Sequence, residues 1–315
     1  MSGAGRIGLI TNPRSRALRE GRFPLAEAAA GLPSAAPATP AELRAALADF
    51  AGRGVDLLAV QGGDGTLREV LSALPQTFGA TPPAIALLAT GKTNLAARVV
   101  GAPGPGEEGL AALRRAAASG TLRHRRLPVL EVHRPGLDEA PMRGLLFGAG
   151  AFTAAKTMAD KGLHGRGIHD RLAVFLALAG TALRSIVQRD HALRAGSPMA
   201  LSVDGRPNPE GRRFLVLATP LDRLMLGFWP FSGEGAGPLH WLDVAAPPRR
   251  LAAAVWAARQ GRQRPWMPAA GYASGRAGRL ALRLDTPFVL DGEVFEPGPQ
   301  GLVLTAPATA TFAMP

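Results

Sequence analysis

The chain has 315 residues, enough for two ordinary domains and a sizeable buried core. Hydrophobic residues make up 47% and charged residues 19%, which excludes a disordered or fibrous chain. The absence of cysteine excludes disulfides, thiolate metal sites and a cysteine nucleophile, and it fits a reducing compartment. The formal net charge is +12; of the 36 basic residues only Lys92, Lys156 and Lys161 are lysines. A pI near 11.4 favours polyanions: nucleic acid, anionic headgroups or phosphorylated small molecules.

Residues 1–5 lead directly into the apolar run at 7–10, which is too short for the core of a signal peptide. The longest uncharged apolar stretch, residues 172–183, falls short of the roughly 18–20 residues needed to cross a bilayer. The expectation is a cytoplasmic protein, soluble or resting on a membrane surface.

In chain order, residues 6–11, 55–61 and 84–88 read as strands, apolar on both faces as in a buried parallel sheet. Thr39, Pro40 and Glu42 have the spacing of a capping box with proline at the first helical position. The helix they open carries Leu43, Ala46, Leu47 and Phe50 on one face and ends at Gly52 and Gly54. Further helices are expected over residues 67–74, 94–100 and 107–119. This alternation predicts a doubly wound α/β domain over residues 1–122. Short β-like runs follow at 129–133, 145–147, 199–203, 214–218, 280–284, 288–290 and 302–305, interrupted by a helical region at 151–187. They predict a β-sandwich-like domain over residues 123–305 with a helical insertion. There is no internal repeat.

The strongest chemical signal is Gly62, Gly63, Asp64, Gly65 and Thr66, directly after a buried strand and before a helix. Glycines leave no side chains in the way of a ligand, and the free N–H groups of a helix start favour phosphate. Asp64 would repel a phosphate unless it acts on Mg²⁺ indirectly or bonds a backbone or hydroxyl group; a plain turn with Asp64 as a helix cap is the alternative. Asn12, Pro13, Arg14 and Ser15 follow the first strand, and Gly91, Lys92, Thr93 and Asn94 follow the third. Ligands of open α/β sheets bind outside the carboxyl ends of the strands, so the three loops should converge on one crevice. Ala86 with Gly91, Lys92 and Thr93 also fits a loosened P-loop pattern. The residues between them, however, read as the end of a buried strand, leaving Lys92 as a point charge for a phosphate. Near the end, Asp291 and Glu293 flank Gly292 after a strand. Such a pair can serve as a general base with a supporting acid or as a metal ligand, or Asp-Gly can be a type I′ hairpin turn. Asp204-Gly205 reads as a hairpin only.

Together and in this order, the Asn-Pro-x-Ser loop, Gly-Gly-Asp-Gly-Thr, the Gly-x-x-Asn loop and the late Asp-Gly-Glu resemble the diacylglycerol kinase-type lipid kinases. That group includes bacterial diacylglycerol kinases and the sphingosine and ceramide kinases, with NAD kinases as distant relatives. The resemblance spans nearly the whole chain. It implies ATP and Mg²⁺ as cofactors, an α/β nucleotide domain to which residues 306–315 return, and a lipid site in the second domain. ATP would be contacted by Asn12, Pro13, Arg14, Ser15, Thr39, Gly62, Gly63, Asp64, Gly65, Thr66, Gly91, Lys92, Thr93 and Asn94, although Thr39 is equally explained as a helix cap. Glu293 matches the family's proton acceptor, with Asp291 beside it. Asp64 would touch Mg²⁺ only indirectly. Glu234 is the stand-in for an Asp-Gly segment that holds a structural Mg²⁺ in many members. The family's usual Gly-Thr-x-Asn-Asp reads Gly91-Lys92-Thr93-Asn94-Leu95 here, a departure at two positions.

The implied activity is transfer of the γ-phosphate of ATP to a hydroxyl of a diacylglycerol- or ceramide-like lipid. The alternatives are a NAD kinase-like small-molecule kinase and a non-catalytic basic module binding nucleotides or nucleic acid. The expected partners are the lipid substrate and the anionic inner face of a membrane, without nucleic acid, and with a homodimer left open. Lys156, Lys161, Arg166 and Arg171, leading into residues 172–183, read as a solvated loop before a buried helix or as a membrane-docking face. His164 and His169 lack the spacing of metal ligands. No serine-hydrolase elbow or zincin motif occurs. The four tryptophans, between Trp229 and Trp266, read as core, with Trp229 also placed to edge a lipid entrance.

Overall fold

A computed structural model describes residues 6–25, 27–91, 94–162, 191–208, 211–224 and 228–315. Lys92, Thr93, His164, Arg166, His169, Arg171 and the apolar run 172–183 lie outside the described residues. The chain divides into two compact units, Met1–Leu127 with Thr309–Pro315, and Pro128–Ala308.

The first unit opens with β1 (Ile7–Thr11), α1 (Arg16–Arg19), β2 (Ser34–Ala35) and α2 (Pro40–Gly52). It continues with β3 (Leu57–Gly62), α3 (Asp64–Phe78), β4 (Ala84–Ala89), α4 (Leu95–Val100) and α5 (Gly106–Ser119). The strands are parallel in the order β2-β1-β3-β4; Leu9 faces Ala59, Leu58 faces Ile85, and Phe312 near the C-terminus lies parallel beside Ile85. Strand β3 is buried along its whole length, as expected when helices cover both faces. Leu9, Leu57, Ala59, Ala86 and Leu88 share one core with Leu110 and Leu113 of α5. Pairing among these four strands is parallel, so each connection crosses back before the next strand begins, and the loops after β1, β3 and β4 leave from one end of the sheet.

Local chemistry sets the helix ends. Thr39 caps α2 by accepting the Glu42 N–H at 3.2 Å, and the Glu42 carboxylate accepts the Ala38 N–H at 2.7 Å. That N–H, chiefly, holds the Glu42 carboxyl below its ordinary value, with Thr39 and the charge of Arg14 adding to it. Helix α3 starts three residues earlier than the apolar periodicity predicts and runs through Pro75 to Phe78. A proline this close to the C-terminus removes one ladder bond, and the Thr77 hydroxyl donates to the Ala73 carbonyl within the same turn.

The chain then enters β5 (Arg123–His133), whose residues belong to both units, followed by β6 (Met142–Gly144), β7 (Phe147–Gly150), α6 (Ala151–Gly162), α7 (His191–Ala195) and β8 (Ser197–Val203). Next come β9 (Arg206–Pro207), β10 (Arg212–Thr219), β11 (Leu239–Ala245), α8 (Leu251–Arg259) and a 3₁₀ turn at Pro268–Ala270. The last elements are β12 (Tyr272–Ala277), β13 (Arg279–Leu284), β14 (Phe288–Leu290), β15 (Glu293–Phe295) and β16 (Leu302–Met314). In the second unit β15, β14, β7, β10, β11 and β12 pair antiparallel in that order, and β8, β13 and β16 form a second antiparallel run. Alternate side chains from both runs, among them Phe147, Val216, Trp241, Leu282, Phe288 and Leu304, meet in one core. The Phe147 and Phe288 rings stack at 5.5 Å.

Four sequence expectations change. The strand expected at 145–147 begins at Phe147, because the Leu145 and Leu146 N–H groups are taken by the Asp291 carboxylate rather than by a ladder. Strands β11 and β12 were not expected: one contains a buried Asp243 and the other a glycine, Gly275, lying beside Trp241. The short run at 302–305 extends to Met314. Trp256 is not core but 63% exposed.

Candidate functional site

At the carboxyl ends of β1, β3 and β4 the loops are locked to one another. The Asn12 side-chain amide donates to Thr66 Oγ1 at 2.7 Å, and its carbonyl oxygen accepts the Arg14 N–H at 2.9 Å. The Ser15 N–H bonds the Asn12 carbonyl, so residues 12–15 form a tight turn, with Pro13 and Arg14 at its tip. The loop after β3 meets the loop after β4 backbone to backbone. A Cβ on Gly91 would lie 2.6 Å from the Gly63 Cα, and one on Gly62 would lie 2.4 Å from Thr66 Oγ1. A side chain at Gly91 would force the two loops apart, and one at Gly62 would collide with the Thr66 side chain at the start of α3.

Asp64 acts on a different helix from the one it begins. Its carboxylate oxygens accept the Leu95 and Ala96 N–H groups at 3.1 and 3.3 Å and so hold the start of α4. Desolvation pushes the Asp64 carboxyl up from its ordinary value, against the Leu95, Ala96 and Asn94 N–H groups and the charge of Arg98, which favour the anion. Both of its oxygens are therefore engaged with backbone. Gly63, the N-cap of α3, supplies no side-chain acceptor to the first turn of that helix, which leaves the positive end of a 15-residue helix facing the glycine loop. Asn94 sits in the left-handed region at φ 51° and donates to the Gly91 carbonyl at 2.7 Å.

Two buried polar atoms in this loop cluster, Thr90 Oγ1 and Asn94 Oδ1, have no hydrogen-bond partner among the described residues. Orphans of this kind beside a glycine cradle fit a polar ligand. Thr90 was overlooked in the sequence because it reads as the last residue of an apolar strand; its position directly before Gly91 is the only local signal. Thr39 lies on the loop after β2 and caps α2.

The late carboxylates are in the second unit. Leu290 pairs with Glu293 across a two-residue turn in which Asp291 and Gly292 have φ of 48° and 83°, the signs a type I′ hairpin requires. Asp291 Oδ1 accepts the Leu145 and Leu146 N–H groups at 3.0 and 2.9 Å, so this carboxylate pins the chain just before β7. Glu293 is the exposed first residue of β15. The hairpin at Asp204-Gly205 has the same construction: φ of 49° and 79°, with Asp204 Oδ1 accepting the Gly278 and Arg279 N–H groups. Glu234 is exposed, and among the described residues no three His, Asp or Glu side chains gather as a metal site. Residues 233–237 instead lie flat along β12, the Arg276 N–H donating to the Glu234 carbonyl.

Residues 7–123 match the sequence model of the diacylglycerol kinase catalytic domain. That segment belongs to the diacylglycerol kinase catalytic-domain family. Such a domain is a phosphotransferase domain, and the glycine loop, Asn12 and Asn94 all fall inside it. No curated protein matches the chain. Among solved structures, it is similar to a protein from Bacillus anthracis str. Sterne provisionally named a diacylglycerol kinase, at 17% identity and a TM-score of 0.62, over 97% of this chain and 96% of that one. A structure of a diacylglycerol kinase from the same organism aligns at 18% identity and a TM-score of 0.58, over 97% and 96% of the two chains. The likeness extends the mixed α/β fold of the diacylglycerol kinase-type structures to the whole chain. No helix among the described residues is long and apolar enough to cross a membrane.

Proposed function

We propose that the protein is an ATP- and Mg²⁺-dependent lipid kinase that phosphorylates a hydroxyl of a diacylglycerol- or ceramide-like lipid. The observation that carries the reading is the glycine cradle of Gly62, Gly63 and Gly91 at the start of α3, with the orphaned Thr90 and Asn94 oxygens beside it, inside a diacylglycerol kinase-type domain. In this reading the backbone N–H groups at the start of α3 receive the phosphates of ATP, while Asn12 and Asp64 hold the three loops in place around them. Asn94 and Thr90 present polar oxygens to the nucleotide. Bound Mg²⁺ would offset the phosphate charge, held largely through phosphate and water oxygens in keeping with that ion's preference.

The second unit, a β-sandwich in this reading, supplies the acceptor. Glu293 takes the proton of the lipid hydroxyl as its oxygen bonds to the γ-phosphorus and the bond from that phosphorus to the β,γ-bridging oxygen breaks; ADP leaves. Asp291 positions the hairpin that carries Glu293. The test is purified protein with labelled ATP, Mg²⁺ and a panel of diacylglycerol, ceramide, sphingosine and NAD. Label should pass to a lipid, and Glu293→Ala should reduce turnover by about 10²–10⁴-fold. Label on NAD alone would replace the reading with a NAD kinase-like activity, and wild-type turnover by Glu293→Ala would remove that residue from its role.

A further inference from the structure

Between Asp243 and Asp285 the chain contains eight arginines and no acidic residue. In the middle of that stretch lies α8, whose outward residues are Ala252, Ala253 and Trp256, with Leu251 and Val255 half-buried beside them and Ala254, Ala257 and Ala258 turned inward. Trp256 is 63% exposed. Arginines bracket this apolar face: Arg249 and Arg250 precede the helix, Arg259 ends it, and Arg262 follows, all exposed. None of the four forms an ion pair with a described acidic residue, and the Arg250 guanidinium stands 5.5 Å from the centre of the Trp266 ring.

We infer that this face of α8 is the surface by which the protein docks on an anionic bilayer. The inference rests on the lipid-kinase reading for its purpose, but its physical basis is separate. A short helix with an apolar outward face and cationic flanks lies in the interface plane, its tryptophan and alkyl groups at the acyl boundary and its guanidinium groups among the headgroup phosphates. A nucleic acid would satisfy the arginines but would leave the Ala252, Ala253 and Val255 surface with nothing to bond. An anionic bilayer matches both halves of the pattern.

Vesicle flotation tests this, with phosphatidylcholine alone and with phosphatidylcholine mixed with phosphatidylglycerol. The full chain should float with the mixed vesicles and not with phosphatidylcholine alone, and added salt should release it. Trp256→Ala should weaken binding roughly tenfold and Trp256→Phe should restore most of it. Arg259→Glu with Arg262→Glu should weaken it by about fivefold or more for each arginine changed. All three proteins should keep the wild-type melting temperature and the wild-type rate on a short-chain, water-soluble diacylglycerol. Wild-type flotation by the Trp256 and arginine variants, equal binding to both vesicle types, or competition by RNA that strips the protein from mixed vesicles would each overturn the inference. Flotation by a protein inactive on every lipid would discard the kinase reading and leave the docking surface standing; activity on soluble diacylglycerol without flotation would do the reverse.

Discussion

Gly91→Ala isolates the contact on which the loop cluster depends. The added Cβ would stand 2.6 Å from the Gly63 Cα and 2.7 Å from Asn94 Oδ1. Carbon atoms rest at about 3.5–4.0 Å, so the two loops must separate by about 1 Å. The neighbour is backbone and cannot rotate away, so the overpacking should cost about 1–3 kcal/mol. At about 2–4 °C per kcal/mol, that is a fall in melting temperature readable by thermal shift. A displacement of about 1 Å between Gly63 and Gly91 should also lower kcat/KM by up to about 100-fold and weaken binding of a fluorescent ATP analogue. Gly52 provides the control: it ends α2, a Cβ there meets nothing within 4 Å, and its φ is not positive. Gly52→Ala should raise stability by about 0.5–1 kcal/mol and leave nucleotide binding unchanged. A Gly91→Ala protein with the wild-type melting temperature and wild-type nucleotide affinity would refute the argument that close backbone approach builds this site.

Asp291→Asn should cost about 1–3 kcal/mol because the Leu145 and Leu146 N–H groups lose a charged acceptor, whereas Glu293→Gln should leave the melting temperature unchanged and lower kcat; urea titration alongside turnover separates them. Asp243→Ala should destabilise by about 3–5 kcal/mol, since it strips the carboxylate from an Arg213 side chain that is only 3% exposed, and the double change Arg213→Met, Asp243→Leu should recover most of that loss in the same titration. Asp64 has a folded-state pKa above its unfolded value near 3.8, so the native state binds more protons in the window opening above that value, and this contribution to stability is lost as pH rises through it. Unfolding free energies measured across that window should therefore fall less steeply with pH for Asp64→Asn than for the wild type; parallel slopes would show that Asp64 is not the group titrating.

The parallel half of the fold was legible because its signals are local. The short runs at 55–61 and 84–88, apolar on both faces and bounded by turn residues, read as buried strands, and they lie within or beside β3 and β4; Thr39-Pro40-Ala41-Glu42 carries its own cap. The antiparallel half was less so, because its strands depend on distant partners. Asp243 is tolerable within β11 only because Arg213, 30 residues earlier in β10, pairs with it at 3.0 Å, and Asn208 donates to the same oxygen at 2.6 Å. A buried charge therefore reads as a loop until its counter-ion is known. The same limit applies to the loop cluster. The strand ends that carry Asn12, the glycines and Asn94 were evident in the sequence; which polar atoms are already committed to other backbone was not.

The two Asp-Gly hairpins sharpen that point. Asp204 and Asp291 share the left-handed turn position, and each binds a pair of consecutive N–H groups on a neighbouring segment. A left-handed residue at the first position of a type I′ turn suits aspartate, whose short acceptor side chain can reach local backbone. The hairpin at Asp204 is built with no functional reading attached to it, so the Asp291 carboxylate can be accounted for by the same demand of architecture. What differs between them is the residue that follows the glycine. Arg206 begins β9, whereas Glu293 begins β15 with an exposed carboxylate. If Asp291 acts only through the backbone it holds, a rate loss in Asp291 variants should scale with their loss of stability rather than with the missing charge; a loss beyond that would give Asp291 a part in the chemistry beside Glu293.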